Sequence, residues 1–173
     1  MDGTVRTDDH ALMGAALEQA ALALAAGIFP VGAVLAAPDG RVLGRAHKTM
    51  ASNHLDHAEI NLFRSVFVSP YDHQRSDGLT LYTTLEPCIM CFGTLLHLPI
   101  ARLVYAMPDA YGGCASSRMV PSPPRHAAHT VEIIAGIRQD EAQALFRQFL
   151  DTTDERYWTS GGAAHFQAAV RGD

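Results

Sequence analysis

Between residues 57 and 106 the sequence alternates helical and strand-like patterning, and this alternation restricts the fold more than any other feature. In residues 57–68 (HAEINLFRSVFV), Ile60, Phe63 and Phe67 recur at spacings of three and four, which places them on one face of a helix. Residues 79–83 form a β-type run, residues 88–98 read as a second helix and residues 102–106 as a second strand. A helix between two strands lets them run parallel, because a crossover can return the chain to the same end of the sheet whereas a tight turn cannot.

Upstream, Asp8 or Asp9 can cap a helix through ALMGAALEQAALALAA that stops at Gly27. Residues 31–37 and 41–46, joined by Pro38-Asp39-Gly40, read as an antiparallel hairpin. Downstream, residues 130–135 read as a short strand and 140–150 as an amphipathic helix. Between them, the Gly/Ser/Pro-rich stretch 108–129 is too long for a plain connection and is where a binding loop is expected. The 173 residues are 48% hydrophobic and show no repeat or composition break, so a single domain spanning residues 1–173 is expected. Residues 151–173 form a weakly patterned C-terminal tail that carries the sole tryptophan, Trp158.

Eighteen acidic residues against 13 basic ones give a net charge of −5, which argues against a partner held through many phosphates. Three cysteines, two of them in Cys88-Ile-Met-Cys91, suggest metal or redox spacing in a reducing compartment rather than a disulfide framework. The apolar residues 11–26 follow Asp8 and Asp9 and contain Glu18, which reads as a packed helix rather than a signal peptide or membrane span. A cytoplasmic protein with no membrane partner is expected.

The chemistry concentrates in His57-Ala58-Glu59 and Pro87-Cys88-Ile-Met-Cys91. One imidazole and two thiolates suit Zn²⁺ and leave a fourth tetrahedral position for water. On a regular helix His57 and Glu59 lie about 200° apart, so both address one centre only if the metal sits off the helix end. His57 must therefore begin its helix. Pro87 likewise suits a helix start at Cys88, where free amides favour thiolate, and Cys91 returns to the same face. Glu59 is then positioned to relay a proton.

HAE followed by PCxxC resembles the zinc-dependent cytidine-deaminase-like superfamily. The resemblance runs from Phe29 to Leu150. PVGAV (30–34), LYTTLEPCIMC (81–91) and VEIIAGI (131–137) look most like the branch of guanine deaminases and tRNA-adenosine deaminases. It implies a three-layer α/β/α sandwich with a mixed central sheet of about five strands, a homodimer, and Zn²⁺ held by His57, Cys88 and Cys91. It also implies hydrolytic release of ammonia with Glu59 as the proton carrier, and substrate contacts at Phe29, Ala58, Asp109 and the segment after the second strand. In that segment the branch usually has a base-reading asparagine; Lys48, the only lysine, stands there, and an ammonium donates hydrogen bonds but cannot accept them. Asp56, directly before His57, is also unusual and could pair with Lys48 or orient His57.

The expected substrate is a free nucleobase, nucleoside or related aminated heterocycle, with a guanine-like purine favoured. A tRNA-specific adenosine-to-inosine deaminase is the alternative. The uncharged Pro108 and Tyr111 beside Asp109, where tRNA-editing members carry basic residues, and the net charge of −5 disfavour tRNA. A non-enzymatic structural-zinc module is the second alternative and would have its fourth position filled. Phe29 also reads as core, Lys48 as an exposed loop residue and Cys114 as a free thiol or a fourth zinc ligand; His47, His54, His126 and His129 read as substrate contacts or surface histidines.

Overall fold

The computed structural model describes residues 4–51, 53–68, 78–115, 129–161 and 163–172. Helix α1 (Asp9–Ala25) precedes a hairpin of β1 (Gly32–Ala36) and β2 (Val42–His47). Then come α2 (Ala58–Val66), β3 (Leu79–Leu85), α3 (Ile89–Leu95), β4 (Ile100–Met107), β5 (Glu132–Ala135) and α4 (Gln139–Thr152). The alternation legible in residues 57–106 is thus the order of the folded chain.

The strands form one mixed sheet in the order β2-β1-β3-β4-β5. β1 is antiparallel to β2 and β3, whereas β3–β4 and β4–β5 are parallel. α1 packs on β1 and contacts α4, while α2 packs on β2 and β1 and contacts α3, which gives the helix–sheet–helix sandwich. The central strands β1 and β3 are buried along their whole length, as expected for strands covered on both faces. At Gly32 the backbone of α1 lies so close, at the Ala16 carbonyl and the Ala20 amide, that a Cβ would collide with it. That glycine lets α1 sit directly on the sheet.

Element boundaries move by a few residues from the sequence reading. β3 and β4 each extend further, because their ends are completed by pairing with each other, from Leu79 opposite Ile100 to Leu85 opposite Met107. α3 stops at Leu95, earlier than expected, and residues 96–99 turn into β4. The C-terminal region contains two helices that its weak patterning does not reveal, α5 (Arg156–Thr159) and α6 (Ala164–Arg171). Trp158 and Phe166 from these helices pack with Phe29, Phe146 and Phe149 in one aromatic cluster. Within the described residues, no helix is long and apolar enough to cross a membrane. His126 and most of the 108–129 stretch lie outside the described residues.

Candidate active site

His57 is the N-cap of α2, with extended φ/ψ of −102° and 146°, and Cys88 is the N-cap of α3, at −69° and 172°. Both helices therefore begin at the same point in space, as the ligand-spacing argument requires. His57 Nδ1 lies 3.6 Å from Cys88 Sγ and 3.5 Å from Cys91 Sγ, and the three ligand atoms lie within 4.8 Å of one another. A tetrahedral zinc with ordinary Zn–N and Zn–S bonds would separate its imidazole and thiolate ligand atoms by about 3.6 Å. The donor set therefore fits Zn²⁺ in both chemistry and spacing.

The His57 imidazole lies within hydrogen-bond distance of both sulfurs. The hydrogen bond from Cys91 pulls the Cys88 thiol down to about 4, aided by His57, and pushes the Cys91 thiol up. His57 is raised, chiefly by its bond to Cys88. Zinc needs both sulfurs deprotonated and the imidazole neutral, so binding it displaces protons from this cluster.

Glu59, two residues into α2, is buried with 3% exposure. Its Oε1 accepts the Thr83 hydroxyl at 3.0 Å, and its Oε2 faces Cys91 Sγ at 3.5 Å. Burial pushes its carboxyl above the ordinary 4.5, so it holds a proton more readily than an exposed glutamate. Thr83 was not anticipated from the sequence. It is one of three buried threonines in β3, and nothing local separates it from Thr80 and Thr84.

The site opens into a cavity of about 500 Å³ lined in part by Phe29, Lys48, Ala58 and Asp109, which the resemblance associates with substrate. Phe29 also belongs to the aromatic cluster, so its core and pocket readings describe the same side chain. The Lys48 ammonium donates to the carbonyls of Asn53, at 3.1 Å, and Asp56, at 2.8 Å. The Asp56 carboxylate instead accepts from the Thr49 amide and hydroxyl, the Met50 amide and Asn61 Nδ2, at 2.6–2.9 Å. Lys48 and Asp56 therefore brace the loop leading into His57 through separate contacts, and no salt bridge joins them among the described residues.

Asp109 caps its own turn, accepting the Tyr111 and Gly112 amides at 3.0 Å, while its amide donates to Glu86 Oε2. A Cβ at Gly113 would meet the Glu86 carboxyl and the Asp109 carbonyl at 2.5 Å. The glycine lets this turn approach closely enough for Gly113 to bridge Cys88. Cys114 is a buried free thiol outside the ligand trio. Of the histidines, His54 lines the cavity, His47 bonds Gln19 at 3.1 Å, and His129 bonds the Leu96 and Ile100 carbonyls.

Residues 6–107 match the cytidine and deoxycytidylate deaminase zinc-binding region. The chain belongs to this family. It is a hydrolytic deaminase of nucleobases or nucleosides with a zinc site, and the reading as a non-enzymatic zinc module is set aside. It is 30% identical over 145 residues to the tRNA-specific adenosine deaminase of Bacillus subtilis (83% of this chain, 89% of that one). It is 34% identical over 149 residues to that of Haemophilus influenzae (85% and 86%). A solved structure from work on A-to-I editing by tRNA:A34 deaminases superposes with a TM-score of 0.63 at 32% identity, over 78% of this chain and 98% of that one. The guanine deaminase of Nitrosomonas europaea shares the fold, with a TM-score of 0.67 at 24% identity over 86% and 87%.

Proposed function

We propose that this deaminase converts adenosine to inosine in a tRNA. The observation that carries this reading is the extent of the match: the B. subtilis and H. influenzae tRNA-specific adenosine deaminases align over more than four-fifths of both chains. These relatives run against the disfavouring of tRNA drawn from charge, because a net charge averages over the whole surface and does not exclude a local basic patch.

In this reading Glu59 takes a proton from the attacking water and delivers it to the departing amine, so that water and the amino-bearing ring become a ring carbonyl and ammonia. Its burial and the Thr83 hydrogen bond hold the carboxyl in place through the transfer. His57, Cys88 and Cys91 hold the zinc, which when bound supplies Lewis-acid activation of the water. Incubating the zinc-loaded protein with tRNA transcripts, digesting them and measuring inosine tests the reading directly; tRNA left without inosine would overturn it.

A second reading, a small free aminated ring such as a guanine-like purine, is favoured by the acidic lining of the cavity. Glu86, Asp109 and Glu155 line it with a single lysine, Lys48, a poor arrangement for a phosphate backbone. Ammonia release from free guanine, adenine and adenosine in parallel assays discriminates the two readings. We also propose a homodimer. Met50, Leu55 and Ile89, near the site in sequence, are more than half exposed, and a second copy would cover them. A monomer in equilibrium sedimentation would count against it.

A further inference from the structure

α5 is a single four-residue helix with no fully buried residue, and it reaches the core only through Trp158. Nevertheless Glu155, Tyr157 and Trp158 line the same cavity as His57, Glu59 and Cys88. Trp158 is held firmly there. Its ring stacks on Phe29 with centroids 4.5 Å apart and planes 19° apart, and it meets Phe149 and Tyr157 edge-on at 5.6 and 4.9 Å. Its carbonyl accepts Gln167 Nε2 from α6. An aromatic fixed on several sides and half-buried in a cavity wall gives a planar ring a surface to pack on without further ordering.

Two oppositely charged groups accompany it. Lys48 spends two ammonium hydrogens on the Asn53 and Asp56 carbonyls, which leaves one to donate. Glu155, the N-cap of α5, lines the same cavity as Lys48, and its carboxylate can only accept. The cavity thus combines a rigid aromatic, one donor and one acceptor, the groups needed to orient a planar polar ring.

We propose that α5 completes the active site, with Trp158 and Glu155 as specificity-determining residues. Trp158 packs against the heteroaromatic ring. Glu155 takes an N–H or O–H of the substrate while Lys48 donates to a ring nitrogen or carbonyl. The substrate class is a planar aminated heterocycle that offers both an acceptor and a donor near the amino-bearing carbon. The inference rests on the deaminase reading and holds for a ring presented by tRNA or free in solution.

Because Trp158 is the only tryptophan, its emission reports on this wall alone. Titrating the full-length, zinc-loaded protein with inosine, hypoxanthine or an anticodon stem-loop should change that emission, with midpoints matching inhibition constants. Trp158→Leu should raise KM about five- to a hundredfold, the range for loss of base–aromatic stacking, with a smaller change in kcat. Trp158→Phe should recover most of the loss. Glu155→Gln should alter the ratio of kcat/KM between ring analogues with and without the donor. Unchanged emission with every probe, or Trp158→Leu and Glu155→Gln enzymes with wild-type KM and selectivity, would overturn the proposal. If Trp158→Leu does not fold, Trp158→Phe and Glu155→Gln decide through selectivity. Emission changes without ammonia release from any substrate would sink the proposed function and leave the α5 site standing; ammonia release indifferent to both variants would do the reverse.

Discussion

Asp9 and Glu59 are both buried carboxylates, at 0% and 3% exposure, but the protein treats them in opposite ways. Asp9 lies at the head of α1 and accepts Arg102 Nη1 and Nη2 at 2.7 and 2.8 Å, the Tyr82 hydroxyl at 2.8 Å and the Arg6 amide at 2.7 Å. Burial pushes its carboxyl up, but Arg102 and the other donors outweigh it and hold Asp9 below the ordinary 3.8. Glu59 has the Thr83 hydroxyl and the Cys91 thiol, and among the described residues no Arg or Lys bonds to it. There burial prevails, and the carboxyl is held above its ordinary value. The ion-paired carboxylate ties α1 to β3 and β4, whereas Glu59, held by neutral donors beside the zinc ligands, is free to exchange protons.

The largest expected effect is at Glu59. Glu59→Gln should lower kcat about 10²- to 10⁴-fold while keeping zinc and the unfolding temperature, since the amide preserves the shape but carries no proton. Cys88→Ala should lose the metal as well, as zinc content will show. An active Glu59→Gln enzyme would mean that another group moves the proton and that the contrast with Asp9 has no catalytic meaning.

At the other carboxylate, Arg102→Met should cost about 3–5 kcal/mol in denaturant unfolding, because it leaves a buried charge without its cation. Activity per folded molecule should change little. The same ion pair sets an acid limit. Because the folded-state pKa of Asp9 is depressed, its stabilisation is fully present above about pH 4 and is lost as pH falls through the lowered value. The stability gap between wild type and Arg102→Met should therefore close with acidification; a gap that stays constant down to pH 2 would show that the pair is not its source.

The smallest expected effect is at Lys48, which bonds two carbonyls just before His57. Lys48→Asn should lower kcat/KM by about 1.5–3 kcal/mol, the range for hydrogen bonds to a charged group. Zinc content should hold, because Asp56 keeps its own bonds to Thr49, Met50 and Asn61. Loss of zinc instead would make Lys48 a support for His57 rather than a group that faces substrate.

The zinc ligands and Glu59 were legible in the sequence because short motifs carry them: His57 and Glu59 are two residues apart, and Cys88 and Cys91 three apart. Local helix geometry turns such spacings into directions in space. The alternation in residues 57–106 was legible for the same reason, as periodicity is a local property and dictates which face of each element is buried. Thr83, Glu86 and Gly113 were not legible, since each matters only for what comes close to it: Glu59 beside Thr83, the Asp109 turn against Glu86, and Cys88 across from Gly113.

The sequence by itself determined the α/β order and the set of zinc ligands, and it singled out Glu59 as the candidate proton carrier. The tertiary structure alone decided that Asp9 meets Arg102, 93 residues away, so that this buried carboxylate is locked into an ion pair. It also decided that the weakly patterned C-terminal residues return to the cavity beside His57 and Glu59, bringing Trp158 onto Phe29 and Glu155 into the same lining as Lys48. Such contacts depend on packing between distant segments, and no local period or spacing encodes which segments will meet.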